Sequence, residues 1–397
     1  MKGYILPDTK RGRIVLDMEK FNRRKVKYLL FTSKVLGFFF HEKRYENMVS
    51  VTKAKKILII ESGLIGDSVM LIPFLKILRN NTCDAEITLV CGNQVKTLLD
   101  TQRLVDSFVI INTEIINSPI QTARKWKYIK AKHQEINKYK YDVAIETRGD
   151  LRYICFMHYC LSERKVAFNY TGGECFLTDV IYPKAEIKHL VEDRIYMAEV
   201  IGCRYIENDS YPVLKLTEQQ RIQNDLFLDR YNLRDKKIIG VHPGASKEHK
   251  RWKKFGELIK ELEIEDAVYL IFSGPEEDEI TDKIIAIGNE SRKNCIKVSE
   301  KLRDYIGLLA VCDICICNDS GAGHISAAYG KPTISIFGPF EPDFCRPYAK
   351  NSYTISHSLY CKPCVSDICL TGTYECIDGI TVEEVKHEVM SAIAEIV

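Results

Sequence analysis

The chain has 397 residues, 46% of them hydrophobic and 28% charged, with a net charge of only +3. Such a chain builds roughly two to three domains with real cores, which excludes a disordered or fibrous protein. The charge is uneven, with fifteen Lys and Arg against five Asp and Glu in residues 1–56, a net of +10 that leaves −7 on residues 57–397; a nucleic-acid binder carries its basic surface on the folded body, so no nucleic-acid partner is expected.

Residues 1–54 read as a basic N-terminal extension. The start "MKGYILPDTK" has no apolar h-region and no small-residue cleavage site, so a cytoplasmic location is expected. The fifteen cysteines are then mostly reduced thiols, and their odd number argues against a complete disulfide framework. Residues 28–40, "YLLFTSKVLGFFF", are the most apolar N-terminal stretch and include Lys34. Spanning a bilayer takes about 20 apolar residues. The stretch lies between "KFNRRKVK" and "HEKR". It therefore either rests on an anionic membrane surface, peripheral to the cytoplasmic membrane, or packs on the body of the protein.

From Lys55 the pattern is strand and helix in alternation. "KKILIIESG" is a buried strand, and "GDSVMLIPFLKILRNN" places Val69, Leu71, Ile72, Leu75, Ile77 and Leu78 at helical spacing. "AEITLVCG", "SFVIIN" and "YDVAIETRG" are further short apolar runs. The pattern restarts with "KKIIGVHPG", the amphipathic "RWKKFGELIKELE", "AVYLIFSGPEEDE", "DICICNDSG" and "PTISIFGP", and "TVEEVKHEVMSAIAEIV" closes the chain as a helix. Alternation of this kind specifies parallel sheets covered by helices. The expectation is α/β, with two Rossmann-like domains, 55–215 and 216–397, joined near the polar segment 214–236.

Parallel sheets bind ligands beyond the carboxyl ends of their strands, and four strand ends carry unusual chemistry. In "ESGLIGDSVMLIP", Gly63 and Gly66 allow a tight turn and Asp67 enters the first turn of a helix, as a helix cap or as a base. The spacing is G-x-x-G, not the dinucleotide fingerprint G-x-G-x-x-G, which weighs against a nucleotide-binding redox protein. In "HPGASKEHKRW", Ser246, Lys247, Lys250 and Arg251 precede a helix, as a phosphate site or a solvated loop. In "SGPEEDE", Glu276 or Glu277 starts a helix. In "NDSGAGHISAA", Asp319, Ser320, Gly321 and His324 surround a helix start of small residues whose amides can approach an anion, or form an Asx-turn. Together they suit a donor held by its phosphates on the C-terminal half, with a carboxylate supplied by the N-terminal half.

"GDSVMLIPFLKIL", "HPGASKEHKRW", "SGPEEDE" and "NDSGAGHISAAYGKPTISIFGP", in this order over about residues 55–397, resemble glycosyltransferase family 9, the ADP-heptose:lipopolysaccharide heptosyltransferases. The resemblance implies a GT-B fold, two Rossmann-like domains facing a central cleft. It implies inverting, metal-independent transfer of a sugar from a nucleotide diphosphate donor, without a cofactor, to a lipid-linked or oligosaccharide acceptor. Asp67 is implied as the general base. Ser246, Lys250, Glu277 (with Glu276 the alternative), Asp319, Ser320, Gly321 and His324 are implied on the donor side. The acceptor-side strand end "IETRGDLRY" departs from the family's usual Asp and less charged continuation. Gly66, Arg148 and Arg152 are the acceptor-side candidates. Rival readings are a GT-B sugar-nucleotide epimerase or hydrolase, and a non-catalytic nucleotide-sugar-binding protein.

Cys361, Cys364, Cys369 and Cys376 are spaced C-x₂-C-x₄-C-x₆-C, a tail that also looks like the family. Four thiolates can hold zinc, but this is not the paired C-x₂-C spacing of common zinc sites, and reduced structural thiols are the other reading. Cys312 and Cys315 read as core.

Overall fold

The structure, a computed structural model, describes residues 28–47, 49–184, 186–364, 369 and 371–395. The chain divides into two compact units, Met1–Ser210 and Tyr211–Val397. The first holds β1 (Lys56–Ile60), β2 (Glu86–Cys91), β3 (Ser107–Ile110), β4 (Tyr141–Glu146), β5 (Ser162–Phe168) and β6 (Asp179–Ile181). They form one sheet in the order β3-β2-β1-β4-β5-β6, with every pairing parallel. Ile57 to Ile60 of β1 are fully buried, because a central parallel strand is covered on both faces and must be aliphatic throughout.

The second unit repeats this plan. Its strands are β7 (Lys237–His242), β8 (Ala267–Phe272), β9 (Asn294–Val298), β10 (Ile314–Asn318), β11 (Thr333–Phe337) and β12 (Ser352–Ser356). Their order is β12-β11-β10-β7-β8-β9. Read from the β9 edge, this is the order of the first sheet. Each unit is thus Rossmann-like, and the strand order reverses at β1/β4 and again at β7/β10. Those reversal points open the crevices where such sheets take ligands. The register brings Ile60, the last residue of β1, opposite Glu146, the last of β4. The helix Val382–Ala394 buries Val385 and Val389 in the second core.

Part of the expected extension is built onto the first unit. Residues 28–36 are helical, and Leu29, Leu36 and Phe40 pack on the first core. The Ser33 hydroxyl accepts from Gly173 N at 2.8 Å, and Val49 N donates to Asp179 Oδ1 at 3.0 Å. The basic stretch 1–27 lies outside the described residues. Among the described residues no helix is long and apolar enough to cross a membrane.

Candidate active site

In the first unit, β1 runs out through Glu61 and Gly63 into the helix Ile65–Asn81, whose second and third residues are Gly66 and Asp67. Asp67 Oδ2 accepts from Leu64 N at 3.0 Å. The capping role is therefore present, and a second role accompanies it: Asp67 Oδ1 lies 2.6 Å from Arg148 Nη1. Gly63 is required by this convergence. A Cβ there would sit 2.3 Å from Asp67 Cβ and 2.6 Å from both Arg148 Nη1 and Glu61 Oε1.

Two further buried carboxylates and a buried cation surround the pair. Glu61 Oε1 accepts from Gly63 N at 2.6 Å, and Oε2 from Thr147 Oγ1 at 2.9 Å and Arg194 Nη2 at 3.1 Å. Arg194, from the helix Leu190–Val200, also donates to the Asp67 carbonyl at 2.7 Å. Glu146 Oε2 accepts from three successive amides, Arg148, Gly149 and Asp150, at 3.2, 2.5 and 3.2 Å. Glu146 Oε1 is buried with no hydrogen-bond partner among the described residues. Arg152 is engaged differently. Its Nε donates to Asp150 Oδ1 at 2.9 Å and its Nη1 to the Asn117 carbonyl at 3.0 Å.

The environments push the carboxyls apart. Burial works to raise Asp67, but the Arg148 and Arg194 guanidiniums outweigh it and hold the carboxyl below its usual range. Glu146 is pushed up to about 8, by burial first and then by the charges of Asp150 and Glu61, against the pull of the amide nest. These shifts favour the anion at Asp67 and the protonated form at Glu146. Separation of this kind is how neighbouring carboxyls are assigned different tasks.

In the second unit, β7 ends at His242-Pro243-Gly244 and the following loop delivers Lys250. Its Nζ lies 2.6 Å from Asp319 Oδ2 and 4.3 Å from the Phe340 ring centroid. Asn318, the last residue of β10, fixes this loop: its Oδ1 accepts from Trp252 N at 3.0 Å and its Nδ2 donates to the Pro243 carbonyl at 2.7 Å. Glu277 is buried and precedes the helix Asp278–Glu290, with Oε2 accepting from Gly274 N at 2.8 Å. Glu276 is exposed with φ 64°. A Cβ on Gly244 would lie 2.0 Å from Glu277 Oε1, so the glycine of His-Pro-Gly admits this carboxylate. Ser320 precedes the helix Gly321–Ala328, yet its hydroxyl makes no capping bond. That oxygen is buried with no hydrogen-bond partner among the described residues. His324 is buried within the same helix, and Ser246 is exposed. His242 Nδ1 lies 2.9 Å from the Tyr305 hydroxyl; burial holds its imidazole below the usual value, making it a neutral part of the scaffold.

Motif reading did not single out Glu61, Glu146, Arg194, Asn318 or Phe340. The two glutamates had a signal, since each follows an apolar run at a strand's carboxyl end. Arg194, inside a helix, had none. Cys312 and Cys315 are core residues. Among the described residues no disulfide links the cysteines, and no group of three or more His, Cys, Asp or Glu side chains is placed to hold a metal ion. Residues 365–368 of the cysteine loop lie outside the described residues. Cys369 Sγ accepts from Tyr374 N at 3.4 Å.

Residues 129–375 match the profile of glycosyltransferase family 9 (heptosyltransferase). Lipooligosaccharide heptosyltransferase 2 of Campylobacter jejuni is 25% identical over 344 residues, 84% of this chain and 97% of the relative. Lipopolysaccharide heptosyltransferase 2 of Salmonella typhimurium is 28% identical over 193 residues, 47% of this chain and 54% of the relative. Among solved structures, Escherichia coli ADP-heptose LPS heptosyltransferase II superimposes with a TM-score of 0.68 at 21% identity, covering 86% of this chain and 99% of the other. The family 9 glycosyl transferase of Veillonella parvula gives 0.72 at 20% identity, covering 86% and 98%. The two Rossmann-like sheets are accordingly of the GT-B class.

Proposed function

The chain belongs to glycosyltransferase family 9 (heptosyltransferase) and is a glycosyltransferase, and from that premise we propose that it transfers a heptose from ADP-heptose to the core of a lipopolysaccharide or lipooligosaccharide. The Campylobacter relative's acceptor class and the E. coli neighbour's donor support this choice of sugar, nucleotide and acceptor.

The observation that carries the reading is the cluster at the β7/β10 reversal. Lys250, in the loop after β7, meets Asp319 after β10, and the next residue is Ser320, whose hydroxyl has no hydrogen-bond partner among the described residues and which precedes the helix Gly321–Ala328. A cation, a hydroxyl donor and a helix N-terminus are the groups that receive a diphosphate. In the transfer, the acceptor hydroxyl oxygen bonds to the anomeric carbon as the bond from that carbon to the diphosphate oxygen breaks. The electron pair leaves with ADP, where Lys250 and the helix N-terminus stabilise it in the role a metal ion fills elsewhere. The acceptor proton passes to Asp67, and attack opposite the leaving group inverts the anomeric centre. Asp67 is paired with Arg148 in the free protein. An anionic group on the acceptor would compete for that guanidinium and free the base.

Acceptor-dependent release of ADP from ADP-heptose tests the reading. The expected result is release with heptose-deficient core acceptor and little without it. Equal release in both cases assigns a hydrolase.

A further inference from the structure

The N-terminal helix and the turn that follows it present two different faces. Leu29, Ser33, Leu36 and Phe40, at helical spacing, face the first core. Tyr28, Phe31, Val35, Phe38 and Phe39 do not. Phe31, Phe38 and Phe39 are 67%, 84% and 77% exposed. A soluble domain rarely leaves three phenylalanines within nine residues in water, and a cluster of this kind marks a contact surface.

The surroundings say what covers it. Residues 1–27 carry nine Lys and Arg against three Asp and Glu and run directly into the helix. Lys34, Lys43 and Arg44 are exposed beside the phenylalanines. A line of ring contacts leads from the inward-facing Phe40 to a second exposed aromatic on the same unit. The Phe40 ring lies 5.7 Å from His158, His158 lies 5.0 Å from Tyr159, and Tyr159 lies 5.7 Å from His133. His133 belongs to the helix Trp126–Ile136, where Trp126 is exposed among Arg124, Lys125, Lys127 and Lys130. Exposed aromatic side chains with cations nearby in the chain fit a bilayer with anionic headgroups: the rings enter the acyl boundary and the cations remain at the phosphates. Exposed Lys34, Lys43 and Arg44 outnumber the exposed Glu46 in this segment, a charge balance that favours an anionic lipid surface over an apolar protein groove.

We infer that Phe31, Phe38 and Phe39, with the basic residues around them, are the surface by which this enzyme docks on an anionic lipid bilayer. The inference rests on the proposed function for its purpose, since the acceptor there is lipid-borne, but its test does not. No described helix spans a membrane, so the attachment is peripheral, and its charge component is screened over about 10 Å at 0.1 M salt.

The test is co-sedimentation of the full chain with phosphatidylcholine vesicles, with and without phosphatidylglycerol, and ADP affinity measured on the same samples. Binding is expected with phosphatidylglycerol, weaker with added salt and weaker still on phosphatidylcholine alone. The triple variant Phe31→Ser, Phe38→Ser, Phe39→Ser should lose vesicle affinity about a hundredfold while keeping ADP affinity. Two results overturn the inference: no vesicle binding by the full chain at low salt, as when residues 1–27 or a second copy cover the patch, or undiminished binding by the triple variant. If the triple variant loses ADP affinity as well, Phe38→Ser alone, at the most exposed position, decides between the same outcomes. Loss of ADP binding by the unaltered chain would strike the proposed function and leave the membrane result standing.

Discussion

The Arg148 guanidinium lies 2.6 Å from the Asp67 carboxylate, joining the ends of the two central strands of the first sheet at the point where strand order reverses. The contact gives the proposed base a low proton affinity in the free protein. With Arg148 and Arg194 holding Asp67 below its ordinary value of 3.8, the acid limb of kcat/KM for the unaltered enzyme should fall below that pH. Arg148→Leu removes the stronger of the two guanidinium influences and leaves burial, which raises the carboxyl. The acid limb should then move to higher pH. A limb that stays in place would separate Asp67 from proton transfer.

Lys250 is held between a carboxylate and an aromatic face, so its ammonium is already positioned for a ligand. Lys250→Ala should weaken ADP and ADP-heptose alike by about 1.5–3 kcal/mol, the worth of a charged hydrogen bond. Activity should survive EDTA. Titration calorimetry with ADP checks the first expectation, and dependence of turnover on added magnesium would count against the second.

The two units show why some of this was legible in sequence. Runs such as "KKILIIESG" and "DICICNDSG" are central parallel strands buried on both faces, so their apolar character is continuous and their ends are plain. Strands β5, β6, β9 and β12 were not singled out. "SERKVAF" (β5) carries charges through its first half, and "SYTIS" (β12) at a sheet edge is only partly buried throughout. A strand that opens on charged residues, is partly covered throughout, or spans three residues as β6 does has no long apolar run to announce it. The glycines of "ESG" and "HPG" were visible as turns. Their deeper purpose was not, since the close approaches at Gly63 and Gly244 involve Arg148 and Glu277 from distant parts of the chain. The Asp67–Arg148 pair is tertiary in the same way.

Gly244 offers a compact test of that close approach. Gly244→Ala sets a methyl 2.0 Å from Glu277 Oε1 and must displace the carboxylate or the strand end. Overpacking of this sort costs about 1–3 kcal/mol. Thermal unfolding of the variant should register that loss, and ADP affinity should fall with it. Unchanged stability would mean that Glu277 moves aside freely.

Glu146 makes stability depend on pH. Its carboxyl sits at about 8 in the folded protein against an ordinary 4.5, so the unfolded chain releases this proton first. Its contribution is fully present below pH 4.5 and is lost as pH rises toward 8. Glu146→Gln cannot ionise, so its melting temperature relative to the unaltered protein should improve between pH 5 and about 8. A difference that stays constant across that range would show that the amide nest keeps Glu146 ionised.

Mass spectrometry of a heptose-deficient core acceptor incubated with ADP-heptose decides whether Asp67 drives heptosyl transfer. One added heptose is expected with the unaltered enzyme. Asp67→Asn should slow that addition about 10²-fold or more while donor affinity is retained. An acceptor that stays unmodified as ADP-heptose is consumed would contradict transfer, and an Asp67→Asn enzyme that adds heptose at the normal rate would reduce Asp67 to a helix cap.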